Sequence, residues 1–275
     1  MTAVVLFAAL PGVCSAGDPP VLPPLEIPVL TEADAIQVDG DLTDWRHVIG
    51  PPTLAMIDMW GDVTEGDGMR DLLDYRLEVW IAVLPPDRLL LAFERRDTGI
   101  SDQVFDGWRD GEFEFMLEVA PQMVASDVAT AQRVEVLPFA EGSLSVRYTG
   151  ALGAWRNTTE FIHGVTDSDP PKANREIATR VEVSLTVFDV VSDVGLQESV
   201  RSALEVGDVM TLGVIGVDVD PCDGCVAVVT YPATLARDLR KDASGFGTAI
   251  LTRLEPPRTV VSPSGWGSLK RLLRW

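Results

Sequence analysis

The chain has 275 residues, 46% of them apolar, and a formal net charge of −20. That length and apolar content suffice for one large buried core, and a mean hydropathy of +0.15 excludes wholesale disorder. The acidic balance excludes nucleic acid as a partner, because phosphate binding needs a basic face.

The first sixteen residues, MTAVVLFAALPGVCSA, read as a secretory signal peptide. An apolar run from Ala3 to Leu10 is broken by Pro11-Gly12 and ends in the small residues Ser15-Ala16, although no Lys or Arg precedes it. The run is too short for a membrane span, which takes about 20 apolar residues, and Pro11-Gly12-Val13 makes a poor lipidation site for Cys14. Export to the periplasm, cell surface or exterior is therefore expected. Residues 17–34, with prolines at 19, 20, 23, 24 and 28, read as an extended linker. A single domain is expected over 35–256, followed by a basic tail over 257–275.

The domain opens on Ile36 to Trp45. A short apolar entry meets Asp39-Gly40, where glycine supplies the positive φ of a tight turn, and Trp45 is large enough to close one end of a sandwich. Tyr75, Leu77, Val79, Ile81 and Val83 then share one strand face, with Arg76, Glu78 and Trp80 on the other. Pro85-Pro86-Asp87 turns that strand into Leu89–Glu94 as a hairpin. Phe113, Phe115, Leu117 and Val119 alternate with Glu112, Glu114 and Glu118 in the cleanest strand of the chain.

Further strands are expected at 132–137, 143–149, 177–187, 210–219, 225–231 and 247–254, and short helices at 196–204 and 233–241. Many strands, few helices and no strand–helix rhythm imply an all-β fold, an antiparallel two-sheet β-sandwich of immunoglobulin or jelly-roll kind with one or two short helices.

After the signal, Cys222 and Cys225 remain, in Asp220-Pro221-Cys222-Asp223-Gly224-Cys225. In an exported chain the pair reads as a disulfide stapling a tight loop. A redox site would need a helix where Val226–Tyr231 reads as a strand, and a zinc site would need another pair of ligands, for which His47 and His163 are the only histidines. The tail carries Arg258, Lys270, Arg271 and Arg274 and no acid. It reads as a clasp on the acidic domain, with contact to an envelope protein partner or a membrane as the alternative.

Sugars present polar rims and flat C–H faces, so proteins hold them with aromatic platforms and carboxylates. Phe105 to Glu114 offers both: Trp108 in a Gly-rich charged loop, with Asp110 beside it, and Glu114 on the strand face opposite Phe113 and Phe115. As a loop residue Trp108 is expected to be accessible, and Glu114 to point away from the core. Trp80 shares its strand face with Arg76 and Glu78. His163, on an apolar patch, reads as a core or loop histidine. No G-x-S-x-G, H-E-x-x-H or P-loop pattern is present, so nothing in the motifs indicates catalysis.

Val38 to Trp45, as VDG-x-L-x-D-W, resembles the opening of the family 9 carbohydrate-binding modules and their relatives. Trp108 and Glu114 resemble the ends of the family's W-x-x-D-x-x-E pattern, with Gly111 where the middle acid belongs and Asp110 one position early. Val214–Asp220 and Phe246–Leu251 resemble the late strand ending in paired acids and the closing FG-x-x-x-L strand. The likeness runs discontinuously from about residue 35 to 254, and 120–176 carries none of it.

The resemblance implies a non-catalytic, exported saccharide binder, of a type often appended to glycoside hydrolases and associated with polysaccharide recognition or degradation. Its ligand would be held by Trp108 and Glu114, with Trp80, or else Trp60, as the family's second stacking aromatic and Arg76 and Asp110 as further contacts. It also implies structural calcium, for which the acids at 39/41/44, 167/169 and 218/220/223 are candidates without a fixed ligand set. Two alternatives remain: a structural interaction module of the cell envelope, and a haem-binding electron carrier with Met116 as an axial ligand and a His or Lys opposite.

Overall fold

Period-two alternation places one side of each strand in the interior and leaves the other to be covered or solvated. A computed structural model of the chain describes residues 23–32, 34, 36–56, 59–65, 75–97, 104–105, 108–119, 132–139, 142–149, 154–168, 177–219, 226–232, 236–240 and 243–254. The signal segment, Cys222, Cys225 and the basic tail lie outside these residues.

The chain begins with β1 (Leu25–Val29), helix α1 (Thr43–Val48), β2 (Leu54–Ala55), β3 (Trp60–Glu65), β4 (Arg76–Leu84), β5 (Arg88–Asp97), β6 (Val104–Phe105), β7 (Trp108–Arg109) and β8 (Phe113–Val119). It continues with β9 (Gln132–Pro138), β10 (Leu144–Thr149), β11 (Ile162–Ser168), β12 (Ile177–Thr186), β13 (Phe188–Val190), β14 (Val200–Arg201), β15 (Val209–Val219) and β16 (Val226–Tyr231). Helix α2 (Ala236–Leu239) precedes the closing strand β17 (Gly247–Arg253).

Among the described residues, thirteen strands form one sheet in the order β10-β9-β8-β15-β17-β1-β4-β5-β12-β11, with β16 bridging β15 and β3 and β2 beside β4. The end strands β10 and β11 lie against each other, so the sheet rolls into a nearly closed, barrel-like arrangement. The all-β expectation holds, with hydrogen bonding continuous from end to end. Among the described strands, pairing departs from wholly antiparallel at one place: β1 lies between β17 and β4 and runs parallel to both.

The main core takes the inward face of each strand. Tyr75, Leu77, Val79, Ile81 and Val83 are all buried there, with Phe93, Phe113, Phe115, Leu117, Leu212 and Val214. The Phe93 and Phe113 rings stack across the interior at 4.4 Å between centroids. The outward faces are also covered in two places. Leu42 and Trp45 of the α1 region pack on Trp80, Ala82, Leu90 and Ala92, and Leu239 of α2 joins Trp108, Met116, Ile215, Val217 and Phe246.

Two expectations are corrected. Leu25–Val29, inside the presumed linker, forms β1, and Ile27 is fully buried; the prolines there flank and punctuate a strand without excluding it. Residues 196–204 are not an α-helix. A single 3-10 turn at Leu196–Glu198 gives way to extended chain, whose Ser202 and Leu204 N–H groups donate to the carbonyls of Val187 and Pro86. That path buries Leu204 in the main core. Of the expected helix at 233–241, Ala236–Leu239 is helical. No helix among the described residues is long and apolar enough to cross a membrane.

Candidate functional site

The opening motif is a structural joint. Gly40, at φ +93°, turns the chain so that its N–H and that of Asp39 both donate to the Glu182 carboxylate, at 2.5 and 2.9 Å. The Trp45 indole N–H donates to the same group at 2.5 Å. Burial nevertheless holds the Glu182 carboxyl above its ordinary value, against these three donors. The acids of this motif are committed to its turns. Asp39 accepts from the N–H of Asp41, Asp41 from that of Thr43, and Asp44 from those of Trp45 and Gln37.

The second motif splits its side chains between two charged groups. On the outward side, Trp108 ends in the small apolar cluster with Met116 and Phe246, 7% exposed. The Arg240 guanidinium lies over its ring, 3.7 Å from the centroid. Arg240 donates from Nε and Nη2 to the two oxygens of Glu114, at 2.9 and 2.6 Å, and from Nη2 to Glu112 at 2.8 Å. Arg133 of β9 also donates to Glu114, and the N–H of Arg109 donates to Glu112 at 3.1 Å.

These contacts set the two carboxylates apart. Burial pushes Glu112 up, and its hydrogen bond and charge interaction with Glu114 push it further, to about 7. Burial acts on Glu114 in the same direction, but the Arg240 and Arg133 guanidiniums outweigh it and hold that carboxyl below the ordinary range. The expectation that Trp108 is accessible and that Glu114 faces solvent is thereby corrected. Glu114 does lie on the face opposite Phe113 and Phe115, but α2 and Arg133 cover that face, and its side chain is fully buried.

On the inward side, Asp110 accepts from Arg95 Nη2 at 2.5 Å and from the Val219 N–H at 3.3 Å. Arg95 Nη2 also bonds Asp97, and Asp218 at 3.0 Å. All four side chains are nearly inaccessible to solvent. Burial and the Asp97 charge push Asp218 up to about 9, with Arg95 opposing. Gly111 explains the departure from the acid expected at that position. Its φ is +73°, and a Cβ there would come within 2.8 Å of Arg95 Nη1, so the position admits neither an L side chain nor an acid without rearrangement. Asp110 is thus an ion-pair partner inside the fold and offers no oxygen to a ligand.

Among the described residues, two groups of three carboxylates could be considered for a metal: Asp97, Asp110 and Asp218, and Glu112, Glu114 and Glu135. In the first, one guanidinium nitrogen already bonds all three acids. In the second, Arg133 and Arg240 bond Glu114, and Arg147 bonds Glu135. Arginine supplies the counter-charge in both, so neither set fits calcium as it stands. Asp167 pairs with Arg180, and Asp169, Asp220 and Asp223 lie outside the described residues.

The remaining expected residues are not brought to this corner. Trp80 is 1% exposed, donates its indole N–H to the Gly50 carbonyl and sits beneath α1, so it offers no face to a ligand. Arg76 is exposed on β4, which β15, β17 and β1 separate from β8 in the sheet. Trp60 opens β3, and its side chain is outside the described part. Met116 is packed among Trp108, Ile215 and Phe246, while His47 and His163 are exposed on α1 and β11, so this methionine is a core residue and no haem pair forms with either histidine. Sequence reasoning missed Glu112, Arg133 and Arg240 as members of the corner, and Arg95 as the hub beside it. Arg240 stands 126 residues from Glu114 in the chain, and no local pattern marks it.

No family model matches the sequence, and no curated protein matches it significantly. Solved structures do. A carbohydrate-binding module family 9 from Caldicellulosiruptor kristjanssonii in complex with glucose is similar at a TM-score of 0.58 and 11% identity, over 86% of this chain and 100% of that one. The same type of module with cellotriose matches at 0.55 and 11%, over 86% and 97%. A candidate carbohydrate-binding protein from Bacteroides uniformis ATCC 8492 matches at 0.50 and 14%, over 82% and 98%. At these identities the likeness is one of fold: this chain has the architecture of the family 9 carbohydrate-binding modules.

Proposed function

We propose that the protein is an exported, non-catalytic saccharide-binding module that takes its ligand at the Trp108 corner. The carrying observation is the meeting of an indole ring with two carboxylates and a guanidinium, Glu112, Glu114 and Arg240, on a fold shared with modules crystallised with glucose and cellotriose. The indole gives a sugar's C–H face a flat apolar surface, and the carboxylates and Arg133 give its hydroxyls fixed acceptors and donors. Access to the ring requires the Arg240 side chain, 24% exposed, to swing aside.

Calorimetric titration of the full chain with cello-, xylo- and amino-sugar oligosaccharides tests the reading. Saturable binding that disappears in Trp108→Leu, which keeps apolar bulk but loses the flat face, is the expected result. Binding to none of them, or binding unchanged in Trp108→Leu with the fold intact, overturns it.

A further inference from the structure

We infer that the Trp108 corner selects a positively charged sugar residue, an amino sugar of the glucosamine type, whose ammonium replaces the Arg240 guanidinium on Glu112 and Glu114. This rests on the saccharide reading above and names its ligand class.

The corner already holds a cation in the manner required. Arg240 stacks on the indole at 3.7 Å and gives hydrogen bonds to both carboxylates, three of them between 2.6 and 2.9 Å. A flat cation over an aromatic face, tied below to two acids, is a seat whose parts all favour positive charge. Arg240 is therefore an internal occupant of the place a ligand must take. It follows Leu239, which is fully buried and fixes the backbone of α2. The side chain can leave without the helix leaving.

Its departure decides what can replace it. Glu114 keeps Arg133, but Glu112 keeps only the N–H of Arg109 and its hydrogen bond with Glu114, neither of which supplies a cation. The side chains of Glu112 and Glu114 are 5% and 0% exposed. A neutral sugar would place hydroxyls against these acids without supplying the lost charge, so Glu112 would have to give up its negative charge by taking up a proton. An amino sugar supplies an ammonium to the carboxylates and a C–H face to the indole together. The net charge of −20 adds long-range attraction for a polycationic chain, an effect that salt weakens.

The test titrates the full chain, at physiological salt, with three probes: a glucosamine hexamer, an N-acetylglucosamine hexamer and cellohexaose. The expected result is glucosamine hexamer bound about tenfold more tightly than either neutral oligomer, the difference of one well-placed ionic contact. Arg240→Ala should tighten glucosamine binding further, because no internal cation then competes, and Glu112→Gln should remove the preference. The comparison of probes needs only the wild-type chain, so it stands even where a variant folds poorly.

Cellohexaose bound as tightly as the glucosamine hexamer overturns the inference and leaves the saccharide reading in place. Binding of none of the three overturns both. A glucosamine preference that survives Glu112→Gln is general attraction to an acidic surface and overturns the inference. Binding of N-acetylarginine amide without any oligomer assigns the seat to a protein partner's arginine and overturns it too.

Discussion

The indole N–H of Trp45 donates to the carboxylate of Glu182 at 2.5 Å, across 137 residues of sequence. With the N–H groups of Asp39 and Gly40 on the same carboxylate, one buried acid on β12 holds both the turn and the anchor of the opening motif. The motif is therefore a joint between the α1 region and the rolled sheet, and its tryptophan is committed to the fold.

Glu182→Ala should destabilise the protein by about 3 kcal/mol, because three donors lose their acceptor in a buried place. Glu182→Gln should cost less, since its amide oxygen still accepts. Urea denaturation of both variants measures this, and an alanine variant within about 0.5 kcal/mol of wild type would show that the joint contributes nothing.

Asp218 predicts a pH dependence with a definite sign. Its carboxyl is pushed from 3.8 to about 9, so the native state holds this proton where the unfolded chain has lost it. The stability from this group is complete below about pH 4 and declines as pH rises toward 9. Asp218→Asn cannot ionise. Its stability relative to wild type should rise across that interval, by about 1.4 kcal/mol for each pH unit at most. Thermal melts of both proteins at pH 5 and pH 8 decide the matter; a difference that is the same at both values contradicts it.

Gly111→Ala should destabilise by about 2 kcal/mol, combining a left-handed φ with the displacement of a buried guanidinium. Pairing this change with Arg95→Lys in a double-mutant cycle reads the crowding separately from the backbone strain. Additive effects would place the whole cost in the backbone.

Phe113→Ala should cost about 3–5 kcal/mol, as it removes a ring stacked on Phe93 at 4.4 Å in the main core. Guanidinium unfolding at constant m-value is the check, and a loss below about 1 kcal/mol would mean that the interior closes around the gap.

Much of the sheet is legible locally. Tyr75 to Val83 and Phe113 to Leu117 each write their inward face in every second residue, and those residues are the ones found in the main core. The same alternation misled at Glu114 and Trp80, because it separates two faces without saying whether the second is open to water. Here α2, Arg133 and the α1 region cover it in places. Prolines at 23, 24 and 28 hid β1, whose partners β17 and β4 supply the pairing from distant parts of the chain.

The sequence by itself determined the β-rich class, the inward set of each strand and the glycine turn at 40, all of which depend on residues within a few positions of one another. It also placed Trp108, Glu112 and Glu114 within one short segment. Only the tertiary structure decided that the sheet rolls nearly closed, that Arg95 gathers Asp97, Asp110 and Asp218, and that Arg240 comes to lie on Trp108. Apart from Arg95–Asp97, two residues apart on one strand, those contacts join separate segments of the chain, and a side chain's local spacing carries no record of which distant charge will neutralise it once both are buried.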